Sequence, residues 1–206
     1  MSLPAIQLER YALQRERWPQ TGRHILAHYD DESIVVYQAY RTAIANWAIE
    51  NQKLGGPDFS FNRMSWIKPN FLWMMYRSGW GTKEGQERVI GLRLRREFFD
   101  RVVRSAVPSS HYPALHPSRD EWQAALKRSN VRLQWDPDHA PGGAPTERRA
   151  IQLGLRGEAL LELAGAGLLE VIDMTAIVER GRAQVINRQL ALLETPAESV
   201  YRAAAE

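Results

Sequence analysis

Three short stretches of the chain, RVIGLRLR (88–95), VRLQWD (131–136) and AIQLGLRG (150–157), alternate apolar and polar residues with period two. Only an extended strand throws successive side chains to opposite faces, so each stretch reads as a strand with one apolar face. Those faces carry Ile90, Leu92 and Leu94, then Val131, Leu133 and Trp135, then Ile151, Leu153 and Leu155. SIVVYQAY (33–40) is β-branched and aromatic and reads as a fourth strand. Between them lie segments of helical period. TAIANWAIENQ sets Ile44, Trp47, Ala48 and Asn51 on one face, with Gly55 and Gly56 expected to end the helix. Further on, RREFFDRVVRSA turns Phe98, Val102 and Val103 inward, and Ser118 with Glu121 has capping-box spacing at the start of SRDEWQAALKR. Strands and helices do not strictly alternate. The expected class is therefore α+β, with a mixed, mainly antiparallel sheet flanked by helices, rather than a doubly wound parallel sheet.

The faces opposite the apolar sets are unusual. They present Gly91, Arg93 and Arg95, then Arg132, Gln134 and Asp136, then Gln152, Gly154 and Arg156, while Gln38 and Tyr40 share a face with Val36. Glutamine and glycine are poor strand formers, so their recurrence points to a place where a ligand approaches amides and backbone. The expectation is that Gln38, Gln134, Gln152, Arg93 and Arg156 line one concave pocket. The alternative is a sheet with one solvated face, its arginines plain surface charge.

WIKPNFLWMMYRSGW (66–80) is the densest aromatic stretch. Pro69 suits the first turn of a helix, where its missing N–H is not needed, and Gly79 stops that helix after about two turns. A helix apolar all round is buried on several sides, so Trp73, Met74 and Met75 are expected to be structural. Lys68 and Arg77 bracket it and must reach either water or an anion. The pairing expected here is Lys68 with Arg23 on a phosphate or carboxylate, beside Trp66 as a stacking surface.

With 206 residues and 44% apolar content, one domain with a sizeable core is expected. Its expected bounds are 1–178, with 1–22 as an N-terminal arm and 179–206 as a peripheral helical tail. No apolar run approaches the ~20 residues needed to span a bilayer, and Met1 to Arg23 is too polar for a secretory signal, so a cytoplasmic location and no membrane partner are expected. The absence of cysteine excludes disulfides, iron–sulfur clusters and thiol nucleophiles. Net charge +3 and a pI near 9.3 are compatible with phosphate-bearing partners.

Familiar catalytic motifs are missing. GWGTKEG (79–85) lacks the lysine–serine pair of a phosphate-binding loop, and there is no GxSxG or HExxH. His24 and His28 stand four apart, but RHILAHYD reads as a strand, so no metal is expected. Asp30, Asp31 and Glu32 read as a turn before the strand.

RHILAHYDDESIVVYQAY, RMSWIKPNFLWMMYRSGWGTKEGQE, VRLQWDPD and AIQLGLRG together resemble the family called domain of unknown function 4291, over roughly residues 5 to 178. The resemblance implies a compact domain whose signature residues include Arg23, Tyr29, Asp30, Gln38, Tyr40, Trp66, Lys68, Pro69, Arg77, Gln134, Trp135, Asp136, Gln152 and Arg156. It brings no established activity. VYQAYRTAIANWAIENQKLGG (36–56) is also similar in layout to the opening strand, helix and glycine of ADP-ribosyltransferase-like proteins. Gln38 stands where those have a histidine, and AIQLGLRG lacks a glutamate. That second resemblance implies NAD bound in a cleft between small antiparallel sheets, with Gln38 and Gln152 as the catalytic candidates. The candidates for holding the nucleotide are Arg23, Tyr40, Trp66, Lys68, Arg77, Arg93, Gln134 and Arg156. The readings left open are a nucleotide-handling enzyme using NAD on a nucleic-acid, nucleotide or protein acceptor, a nucleic-acid-binding module, and a non-enzymatic small-ligand domain. Oligomeric state is not legible.

Overall fold

The computed structural model describes residues 5–203. The chain runs β1 (Leu8–Arg10), α1 (Tyr11–Arg17), β2 (Gly22–Arg23), β3 (Ile25–Tyr29), β4 (Ser33–Tyr40), α2 (Thr42–Asn51), β5 (Ser65–Ile67), α3 (Phe71–Ser78), β6 (Arg88–Arg95) and α4 (Arg96–Ser105). It continues through β7 (Val107–Pro108), α5 (Arg119–Arg128), β8 (Val131–His139), β9 (Pro145–Leu155), α6 (Gly157–Ala164), β10 (Leu168–Asp173), α7 (Thr175–Ile186), β11 (Glu194–Pro196) and β12 (Ser199–Tyr201). The class is α+β.

Two sheets organise the domain. The first has the order β10-β6-β4-β3-β12, antiparallel throughout. The second has the order β2-β9-β8-β7, with β5 also paired to β9; β2 and β7 pair parallel and the rest antiparallel. In β4 and β6, Val36 lies opposite Leu92 and Gln38 opposite Ile90, so these four share a face. That face, the apolar side of β8 and β9, and Phe98, Phe99, Leu160 and Leu163 of the flanking helices form the main core. The other face of the first sheet is covered as well: Val35, Tyr37 and Val89 pack with Tyr11, Trp18, Phe71, Leu72, Met75, Met174 and Leu193. A sheet sandwiched between two cores explains why β4 is buried over Ser33 to Gln38 without alternation.

Several expectations change. The tail is helical only through Ile186. Beyond it, β11 pairs with β1 and β12 extends the first sheet beside β3, with Leu193, Thr195, Glu198 and Tyr201 buried, so it is an integral part of the fold. The N-terminal arm buries Tyr11, Gln14 and Trp18, and Gln14 Nε2 donates to Thr195 Oγ1 at 2.9 Å. Helix α2 ends not at glycine but at Gln52, which takes the left-handed conformation (φ 53°). Gly56, four residues on, is needed because an added Cβ would lie 2.7 Å from the Trp47 ring. Pro69 precedes α3 rather than opening it. Asn70 is the cap, its Oδ1 accepting from Trp73 N at 2.6 Å, and buried Glu198 Oε1 accepts from Phe71 N at 2.7 Å.

Candidate functional site

The two sheets are stitched where β4 meets the residue after β5: Tyr37 N donates to Lys68 O at 2.7 Å and Lys68 N to Tyr37 O at 3.2 Å. Pro69 then ends the pairing, since it has no N–H to give. Around this junction opens a cavity of about 740 Å³. Gln38 and Tyr40 enter it from the end of β4, Trp66 from β5, Gln134 from β8, Gln152 from β9, and Met74 and Arg77 from α3, with Lys68 between. The loop before β5 adds Asp58, Phe59 and Arg63, and Arg41, just ahead of α2, stands at its edge.

Lys68 is the most unusual of these residues. It is only 6% exposed, and among the described residues its ammonium has no hydrogen-bond or ion-pair partner, only the Trp73 ring at 4.8 Å. Burial, followed by the nearby Arg77 charge and opposed by Asp136, brings its pKa down from 10.5 to about 7. The Arg77 side chain is exposed and, like that of Arg63, free of any ion pair among the described residues, whereas Arg41 is paired with Asp58 at 3.0 Å. The cavity therefore carries an excess of positive charge.

The wall below is a closed polar network. Gln38 Nε2 donates to Ser65 Oγ at 2.7 Å and to Trp66 O at 3.1 Å, and Tyr40 OH donates to Gln38 Oε1 at 2.9 Å. Burial pushes the Tyr40 phenol up to about 12, so it stays a neutral donor. Gln38 thereby commits both N–H groups and one acceptor site of Oε1 to holding Ser65, the Trp66 backbone and Tyr40, while still lining the cavity. Opposite, Gln134 and Gln152 face each other across β8 and β9, and both amides donate to Asp136, at 2.7 and 2.6 Å.

The structure thus brings together Gln38, Tyr40, Trp66, Lys68, Arg77, Gln134 and Gln152. Three candidates lie elsewhere. Arg93 is on the opposite face of β6 from Ile90, 1% exposed, its Nε donating to Glu170 at 3.0 Å. Arg156, at the end of its strand, has turned to the C-terminal end of α5, where its Nη2 donates to Lys127 O at 2.7 Å. Arg23, on a two-residue edge strand, donates to Tyr112 OH at 3.0 Å and is no companion of Lys68. The glycines reserved for a ligand are filled by protein: Gly154 lies under Met64 and the Trp66 ring, and Gly91 is packed by Val35, Ile172 and Met174. Met74, expected to be purely structural, is buried but also borders the cavity. Phe59 and Arg63 were missed; an arginine among the aromatics of PDFSFNRM (57–64) was the available signal.

No helix among the described residues is long and apolar enough to cross a membrane. The family model described as Domain of unknown function (DUF4291) matches residues 24–201, most of the chain, and the chain belongs to that family. The match starts after Arg23 and runs through both C-terminal strands. No curated protein matches the chain.

Proposed function

We propose that this family member is a nucleotide-handling protein whose cavity takes a phosphate-bearing nucleotide, and that it acts as an ADP-ribosyltransferase-like enzyme with NAD as the donor. The observation that carries the reading is Lys68: a buried, unpaired ammonium in a cavity is costly, and an anion is what would compensate it. Arg77 and Arg63 extend the positive charge outward along a pyrophosphate, and Trp66, held by Gln38, offers a flat surface for a base or nicotinamide ring. The placement between two small sheets also supports the reading. In the transferase reaction the bond between nicotinamide and ribose breaks, nicotinamide leaves, and ADP-ribose passes to an acceptor. Its oxocarbenium-like transition state needs orientation and charge placement more than a strong nucleophile, and this cavity offers both. Within it, Gln152 is the late-strand amide that the transferase reading sets on the ribose side of the donor, and like Gln134 it keeps its carbonyl oxygen free of protein donors among the described residues.

Calorimetry with NAD and ADP on the wild type and Lys68→Met, together with an assay for released nicotinamide, tests both levels. Binding lost at least tenfold in the variant supports the site, and nicotinamide release supports the chemistry. Equal affinity in both proteins overturns the site.

A nucleic-acid ligand is the second reading, favoured by Phe61, exposed and packed edge-on against Phe59 at 4.9 Å beside Arg63. Salt titration separates the two: contact with many phosphates weakens steeply with salt, a single pyrophosphate only shallowly.

A further inference from the structure

Gln134 and Gln152 are directly paired across two antiparallel strands, which sets their Cβ atoms ~5 Å apart on one face. Asp136, two residues further along β8, takes a hydrogen bond from each: Gln134 Nε2 to Oδ1 and Gln152 Nε2 to Oδ2. A carboxylate only accepts, so it dictates which end of each amide turns toward it. Both NH₂ groups are drawn to Asp136 and both carbonyl oxygens point away. Among the described residues no donor reaches either Oε1, and both glutamines line the cavity.

We propose that the Gln134–Asp136–Gln152 group reads a ligand –NH₂ group, one N–H to each glutamine carbonyl. This rests on the nucleotide reading and narrows it to nucleotides that carry a primary amino or carboxamide group. Asp136 is the positioning residue and the two glutamines are the contacts. The same arrangement rejects the deaminated analogue, because an oxo or carboxylate oxygen would face two carbonyl oxygens with a carboxylate behind them, and the carbonyls would lose their partner. The –NH₂ has two sources in a dinucleotide, the adenine ring and the nicotinamide carboxamide, and the test separates them.

Isothermal titration compares ADP with inosine diphosphate, and NAD with nicotinic acid adenine dinucleotide. The expected result is that the amino-bearing member of one pair binds at least about tenfold tighter, as for a lost buried hydrogen bond. The pair that discriminates names the source. In Asp136→Asn, whose side chain both donates and accepts, the glutamines are free to turn, and the ratio should fall toward one. Gln152→Met, of similar length and without the carbonyl, should lower the same ratio and guards against a folding defect in the first variant. If nucleotides bind but neither pair discriminates, or the ratio survives both substitutions, the reader is wrong while the nucleotide site stands. If no nucleotide binds, the site reading itself fails and takes the reader with it.

Discussion

Replacing Lys68 by methionine should stabilise the protein while removing the charge on which the proposed anion site rests. The side chain is 6% exposed and has no ion-pair partner among the described residues, so folding strips water from an ammonium and returns only the Trp73 ring. The fall in pKa from 10.5 to about 7, mostly from burial with repulsion by Arg77 added, sets the scale of the cost: at ~1.4 kcal/mol per tenfold it amounts to roughly 5 kcal/mol for the charged form. At pH 7 the amine is partly neutral, and the remaining cost is about 4 kcal/mol. Methionine fills a similar volume without the charge, so Lys68→Met should gain about 3–4 kcal/mol, or roughly 10 °C in Tm for a domain of this size. The pH dependence carries the sign. The folded pKa lies below the unfolded one, so between about 7 and 10.5 the unfolded chain holds the extra proton and wild-type stability rises with pH. The advantage of the variant is therefore full below pH 7 and shrinks toward pH 10.5. Urea denaturation of both proteins from pH 6 to 10 reads it directly. A variant less stable than wild type at pH 7, or a gap independent of pH, would refute the reasoning.

Glu198 is buried, and burial raises its pKa well above the usual carboxylate range. Its favourable contribution belongs to the protonated form and is lost as pH rises, so Glu198→Gln should overtake wild type in stability at neutral and alkaline pH in chemical denaturation. Glu198→Ala removes the acceptor for Phe71 N at the start of α3 and should cost about 1–3 kcal/mol; a variant as stable as Glu198→Gln would contradict the capping role. Gly154→Ala would set a Cβ 2.6 Å from Met64 Sδ and 2.9 Å from the Trp66 indole. It should destabilise by about 1–3 kcal/mol and weaken nucleotide binding by displacing Trp66; unchanged affinity by calorimetry would remove Trp66 from the site.

Much of the architecture was legible because the strands obey a simple period. β4 occupies the residues expected of it, and the apolar sets of β6, β8 and β9 do face the core, with Leu133 and Trp135 half-buried but packed against it. What alternation does not reveal is what covers the second face. Alternation put Arg93 on the face expected to line the pocket or, failing that, to meet solvent, yet a second core covers that side of the sheet, and the arginine survives there through Glu170 and Ser33. Arg156 failed for a different reason: the pleat ends at Leu155, so its direction is set by the turn into α6 and by α5. The tail strands are three residues each, too short for any period to show, and their pairing partners lie far off in sequence. Within the site, Lys68 and Trp66 stood out by composition alone, but the grip of Asp136 on two glutamines is a cross-strand relation that becomes visible only with the register.

If Lys68 is poised in the cavity for an anion, its ammonium should sense one, and NMR of the protein labelled with ¹³C at lysine Cε reads that nitrogen's titration. Titrated without ligand, the Lys68 resonance should show a midpoint near 7, well below the ordinary lysine value of 10.5. With saturating ADP the midpoint should move up by at least one pH unit, because a bound phosphate stabilises the charged amine. A Lys68 that titrates at the ordinary lysine value, or whose midpoint does not move when nucleotide is added, would rule out an anion site at this ammonium.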